Sequence, residues 1–167
     1  TSFDHAVLAC HADQALALVE DPDRTESELL ECFPYSSNIV TLHTDQRRLP
    51  RRPAARASWN YLLGDEDEPA SITYDMSRLQ GLDSPEPFLV TLNDDGTLDE
   101  SRILLQFETS HPTYHAMRAS AQTRHDEMIG RRNLSYCGAY WGYGFHEDGY
   151  QSGCRAAAGI QAADKKP

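Results

Sequence analysis

The side chains with most chemical potential crowd one stretch near the end of the chain. From Tyr136 to Gly153 it reads Tyr-Cys-Gly-Ala-Tyr-Trp-Gly-Tyr-Gly-Phe-His-Glu-Asp-Gly-Tyr-Gln-Ser-Gly. His146, Glu147 and Asp148 have the composition of an acid–base cluster, although such a histidine is better suited to positioning a ligand than to abstracting a proton. Glycines 138, 142, 144 and 149 let the backbone approach something flat or phosphorylated. A helix starting just after them aims free N–H groups and a positive dipole end at the same place, with Asp148 as its expected cap. A tight glycine turn before a buried helix has the same pattern, and the residues alone leave both readings open. Tyr140, Trp141, Tyr143 and Phe145 either wall a pocket or fill the space under the loop.

Other constellations are weaker. Arg47, Arg48, Arg51, Arg52 and Arg56 form the one basic concentration in an acidic chain. They read either as a solvated loop or as a dock for an anionic headgroup, a carboxylate or a missing part of the protein. His111-Pro-Thr-Tyr-His115 has a metal-like spacing but straddles a proline with no third ligand nearby, so no metal is expected. Ser58 and Ser152 lie outside any G-x-S-x-G elbow, which argues against serine hydrolase chemistry. Cys10, Cys32, Cys137 and Cys154 form no C-x-x-C pair and read as buried free thiols in a reducing compartment, hence cytoplasmic.

The elements that would position these groups fall into three runs. His5 to Cys10 is apolar throughout and suits a buried strand, and Asp13 to Val19 follows with helical spacing. Thr25 and Glu28 offer a capping box for a short helix that Pro34 ends. Strands are then expected at Asn38–His43, Ala57–Leu62, Ile72–Met76, Phe88–Leu92 and Ile103–Phe107. Turn-rich connections separate them, Gly64–Pro69 among these, and five strands in succession imply a largely antiparallel sheet. Tyr114 to Ile129 reads as one amphipathic helix stopped by Gly130. A strand at Leu134–Cys137 and a small-residue helix complete the pattern, and 164–167 reads as a frayed tail. The fold class is α/β (α+β overall), with outer α/β pieces interrupted by a sheet.

The chain has 167 residues, 40% of them hydrophobic, enough for a sizeable core. Its formal charge of −11 argues against a nucleic-acid partner. No apolar run approaches membrane-spanning length, and Thr1 opens no signal peptide.

Several words of the sequence resemble one family. Gly138-Ala139 followed by His146-Glu147-Asp148-Gly149-Tyr150-Gln151-Ser152-Gly153 is similar to the C-terminal flavin motif of the flavin-containing amine oxidase and phytoene desaturase superfamily, in particular its bacterial NAD/FAD-binding branch. Leu42-His43-Thr44-Asp45, Leu49-Pro50-Arg51-Arg52, Ser58-Trp59-Asn60-Tyr61, Thr73-Tyr74-Asp75-Met76 and Arg78-Leu79-Gln80-Gly81-Leu82 extend the resemblance along nearly the whole chain. It implies a discontinuous, Rossmann-like FAD-binding domain, residues 1–22 and 130–167, interrupted by a mainly antiparallel substrate domain over 23–129. It also implies FAD contacts at Gly138, Ala139, Tyr140, Trp141, His146, Glu147, Asp148, Gly149 and Ser152. Ala139 departs from the family's usual acidic residue. Trp59, Tyr61 and Tyr74 fall where a substrate domain would line its pocket.

The resemblance implies an FAD-dependent oxidoreductase that dehydrogenates a C–N or C–C bond, on a small-molecule or lipid-like substrate. No G-x-G-x-x-G occurs, and in the family that motif lies N-terminal to everything present here. The expectation is therefore the C-terminal part of a longer flavoprotein, whose phosphate-gripping portion lies in the same protein or in a companion chain. The rival expectation is a non-catalytic binding or assembly subunit that keeps the fold without the cofactor.

Overall fold

A computed structural model describes residues 2–63 and 71–164. The expected turn at Gly64–Pro69 lies outside them, as does the expected tail 164–167 apart from Asp164, which is still helical. In chain order the elements are β1 (Ala6–Leu8), α1 (Ala12–Leu18), α2 (Arg24–Leu30), β2 (Tyr35–His43), β3 (Trp59–Leu62), β4 (Ser71–Asp75), α3 (Met76–Gln80), β5 (Leu89–Leu92), β6 (Ile103–Pro112), α4 (Ala116–Gln122), β7 (Leu134–Tyr136) and α5 (His146–Asp164). Helices and strands are mixed, as the α/β reading expects, and the chain divides into two compact units. One comprises residues 1–36 and 112–167, the other 37–111.

The compact units divide at 36 and 112, where the resemblance implies domain bounds at 22 and 130, because α2 and α4 join the terminal pieces. Leu29, Leu30 and Phe33 share a buried core with Ala121, Met128, Tyr136, Tyr140 and Trp141. Within this unit β1 and β7 pair in parallel, Ala6 opposite Leu134 and Leu8 opposite Tyr136. Each passes quickly into helical structure, the arrangement that places loops at the carboxyl ends of parallel strands. The expected burial of β1 is not found, since Val7 is 47% exposed.

Local signals differ from expectation in three places. The capping box of α2 is built by Asp23 and Glu26 rather than Thr25 and Glu28: Asp23 accepts from the Thr25 and Glu26 N–H groups, and Glu26 reaches back to the Asp23 N–H at 2.7 Å. The single helix expected over 114–129 breaks after Gln122, where the Thr123 hydroxyl bonds the Ser120 carbonyl, and resumes as a 3-10 turn over His125–Met128. Lastly, α5 starts at His146, so Asp148 lies inside its first turn rather than ahead of it.

The second unit is a five-stranded sheet in the order β3-β4-β5-β2-β6. The β3–β4, β4–β5 and β5–β2 pairs are antiparallel, and their registers align side chains in rows across the sheet. Asn60, Thr73, Thr91 and Thr41 form one row, all buried. On the opposite face run Trp59, Tyr74, Val90 and Leu42, then Tyr61, Ile72, Leu92 and Val40. The usual arrangement is inverted: the hydroxyl-bearing face is covered, while Trp59 and Tyr61 on the apolar face are 65% and 62% exposed.

Hydrogen bonds make the covered polar face tolerable. The Asp45 N–H donates to His43 Nδ1 at 3.1 Å, so the imidazole carries its proton on Nε2 and donates it to Thr91 Oγ1 at 2.7 Å. Thr91 and Thr73 hydroxyls are 2.8 Å apart and continue the chain.

Candidate functional site

The glycine and aromatic turn between β7 and α5 is filled from the inside. Tyr140 and Trp141 are buried, and both pack on Phe33 with ring centroids 4.9 and 5.1 Å away. His125 stacks on Trp141 at 4.3 Å and bonds the Tyr136 carbonyl through Nε2 at 2.8 Å. The turn's carbonyls are held by neighbours: Gln122 Nε2 donates to Tyr140 and Gly142 at 2.9 and 2.6 Å, and Arg118 Nη2 donates to Gly142 at 2.8 Å. Of the two readings of Tyr140 and Trp141, pocket wall or filling under the loop, the packing matches the second, and both belong to the core of this unit.

Ser152 is likewise committed inward. It is buried, its Oγ accepts the Gly138 N–H at 2.8 Å, and it stays within hydrogen-bond distance of the Gly138 and Gly149 carbonyls. It ties the end of β7 to the first turns of α5. A Cβ at Gly138 would lie 2.5 Å from the Tyr140 ring, so that glycine makes room for Tyr140. Gly149 has ordinary spacing, 3.6 Å from the Ala139 nitrogen to a Cβ built there.

The outer side of the turn is open. Asp148 Oδ2 accepts from the Tyr143 and Phe145 N–H groups at 3.0 and 2.9 Å, which closes the loop onto the helix. The N–H groups of His146, Glu147 and Asp148 themselves find no acceptor among the described residues, as expected for the first turn of a 19-residue helix. His146 and Glu147 are exposed, and around them Tyr143, Phe145 and Tyr150 are exposed as well. A free helix end ringed by uncovered aromatic side chains is the notable feature of this unit.

Beneath the turn several buried donors lack partners among the described residues: Arg118 Nε and Nη1, Trp141 Nε1 and the Tyr140 hydroxyl, with His11 Nδ1 near the end of β1. Arg118 is 3% exposed and lies over the Tyr114 ring at 4.1 Å. Burial raises the Tyr140 phenol well above its ordinary value and lowers the His125 imidazole, so both stay uncharged at neutral pH. Arg118 and His11 escaped the sequence reading, since neither belongs to a recognisable spacing.

In the other unit, Trp59 and Tyr61 open onto a cavity of about 450 Å³ that Arg47, Arg48 and Arg51 also line. Tyr74 supports Trp59 edge-on at 5.9 Å without lining it. Arg56 turns away to the Pro50 carbonyl at 3.0 Å. The cysteines are free, and Cys154 is exposed, against the expectation of burial. Among the described residues no helix is long and apolar enough to cross a membrane.

No family model matches the chain, and no curated protein matches it.

Proposed function

We propose that the chain is the C-terminal portion of an FAD-dependent oxidoreductase of the amine oxidase-like kind, with the open end of α5 as its flavin-facing element. The observation that carries this reading is the free first turn of α5, with unpartnered N–H groups at His146, Glu147 and Asp148 and exposed Tyr143, Phe145 and Tyr150 around it. Glu147 and Asp148 make the helix start acidic, which disfavours a phosphate there. A neutral carbonyl edge, such as the pyrimidine side of an isoalloxazine, suits the same N–H groups, and they would stabilise the negative charge of the reduced ring. Bound FAD would supply the hydride acceptor for dehydrogenation of a C–N or C–C bond.

The chain's own part is binding and exclusion. Gly138 and Ala139 would offer backbone at the end of β7, Asp148 would hold the loop in shape, and the exposed aromatic rings would shield the ring system from water. Phosphate binding would fall to a dinucleotide-binding portion that extends the small parallel sheet at β1, a strand that among the described residues pairs only with β7. The substrate would lie against the sheet residues Trp59 and Tyr61.

The inward packing of Tyr140 and Trp141 favours a second reading, a non-catalytic subunit whose turn no longer needs a cofactor. Colour separates the two. Protein expressed from its complete reading frame and supplied with FAD is expected to purify yellow, with flavin absorbance that bleaches on reduction. A colourless product that stays so after reconstitution with FAD would overturn the flavin reading in favour of the second.

A further inference from the structure

We propose that the cavity beside β3 binds an amphiphilic oxyanion, a carboxylate or phosphate carried on an apolar body. The chain carries a net charge of −11, so its mean field repels anions. The charged side chains on the wall of this cavity are nonetheless all cationic, Arg47, Arg48 and Arg51. The three guanidiniums are not equivalent. Arg47 forks onto Asp45, with Nε at 2.9 Å from Oδ1 and Nη2 at 2.5 Å from Oδ2. Arg48 is buried against Asp94 and Asp95, and its Nε has no partner among the described residues. Arg51 is exposed and makes no hydrogen bond or ion pair among the described residues.

Two arginines fixed by the protein's own carboxylates thus leave Arg51 as the cation available to a ligand, with a planar fork suited to carboxylate or phosphate. The lining from β3 is mainly apolar: Trp59, Tyr61 and Leu62 are all more than half exposed, and the polar Asn60 among them is buried. A neutral hydrocarbon would leave Arg51 unused, and a bare inorganic anion would leave the aromatic wall in water. A ligand with both parts uses the whole cavity, whose volume of about 450 Å³ is that of ordinary small-molecule sites. The proposal names a ligand class for the Trp59 and Tyr61 site that the proposed function gives to the substrate, and its test is separable from the flavin reading because binding is measured with no FAD present.

Octyl phosphate, octanoate, octanol and inorganic phosphate, titrated separately into the protein, test it by calorimetry and by tryptophan fluorescence. The chain has two tryptophans, and only Trp59 is exposed. One or both octyl anions are expected to bind and to change the emission, with octanol and inorganic phosphate at least about tenfold weaker. Binding of octanoate alone assigns the head to a carboxylate, and binding of octyl phosphate alone assigns it to a phosphate. Arg51→Gln is expected to weaken the bound anion by about tenfold at unchanged thermal midpoint, and Trp59→Phe to remove the emission change while calorimetric heat persists. Octanol binding as tightly as the anions, inorganic phosphate matching octyl phosphate, no binding of either octyl anion, or an unaffected Arg51→Gln would each overturn the proposal.

Discussion

The Tyr136 hydroxyl donates to Glu26 Oε1 at 2.9 Å across 110 residues of sequence. Glu26 is fully buried, and its other oxygen takes the Asp23 N–H at 2.7 Å and Arg132 Nη1 at 3.0 Å. One carboxylate thereby caps α2, anchors β7 and binds the loop before β7. Tyr136→Phe is expected to cost about 1–2 kcal/mol, the value of a buried bond to a charged acceptor. Glu26→Ala removes the acceptor from all three donors and is expected to cost about 3–5 kcal/mol. Urea denaturation measures both, and a Tyr136→Phe midpoint equal to the parent's would show that the bond contributes nothing.

Acid should loosen the sheet unit before ordinary carboxylates titrate. Burial pushes the His43 imidazole down to about 4, with Arg48 adding to the shift and Asp45 opposing it. Its Nδ1 already accepts the Asp45 N–H, so a second ring proton would break that bond. An unfolded histidine binds a proton near pH 6.5 and the folded one does not. Stability is thus intact above about pH 6.5 and falls as pH drops towards 4, by up to roughly 3 kcal/mol. His125, also lowered by burial, gives the other unit a dependence of the same sign. His43→Gln should flatten stability against pH between about 6.5 and 4, and an unchanged slope would exclude His43 as its source.

Asp148 and Gly142 form a matched pair. A Cβ at Gly142 would collide with the Asp148 carboxylate, which bonds the Tyr143 and Phe145 N–H groups. Asp148→Ala is expected to cost about 1–2 kcal/mol as a lost cap. Gly142→Ala should act through the same contact. Because Asp148→Ala removes the carboxylate while keeping the crowded Cβ, the double variant should relieve part of the clash and be less unstable than the sum of the singles. Strict additivity in thermal denaturation would contradict that coupling.

Much of this architecture was legible in the sequence where periodicity was strong. The five strands of the sheet were readable from alternation in segments such as Asn38–His43 and Ile72–Met76, although β2 and β6 run longer and Met76 opens a helix instead. What alternation could not reveal was which face is covered, because that depends on segments outside the strands. Thus Thr41, Thr73 and Thr91 turned out buried, and Trp59 and Tyr61 exposed. The turn at 138–145 was readable as a tight glycine loop before a helix. That Tyr140 and Trp141 point into the core was not, since their buried partners Phe33 and His125 are distant in sequence. The glycine spacing before a helix suggested an open helix end, and the resemblance alone supplied a flavin as its ligand.

The inverted sheet also bears on the heat taken up when the protein melts. Hydrating newly exposed apolar surface raises heat capacity, whereas hydrating polar surface lowers it. A unit that hides Asn60, Thr41, Thr73, Thr91 and His43 beside Leu49, Leu89 and Leu98, and whose Trp59 and Tyr61 rings already meet solvent, has less of the first to release. Its calorimetric trace should therefore show a smaller baseline step per residue than the roughly 12–15 cal/mol/K of ordinary domains. Its stability curve would accordingly be flatter, with resistance to cold as its counterpart.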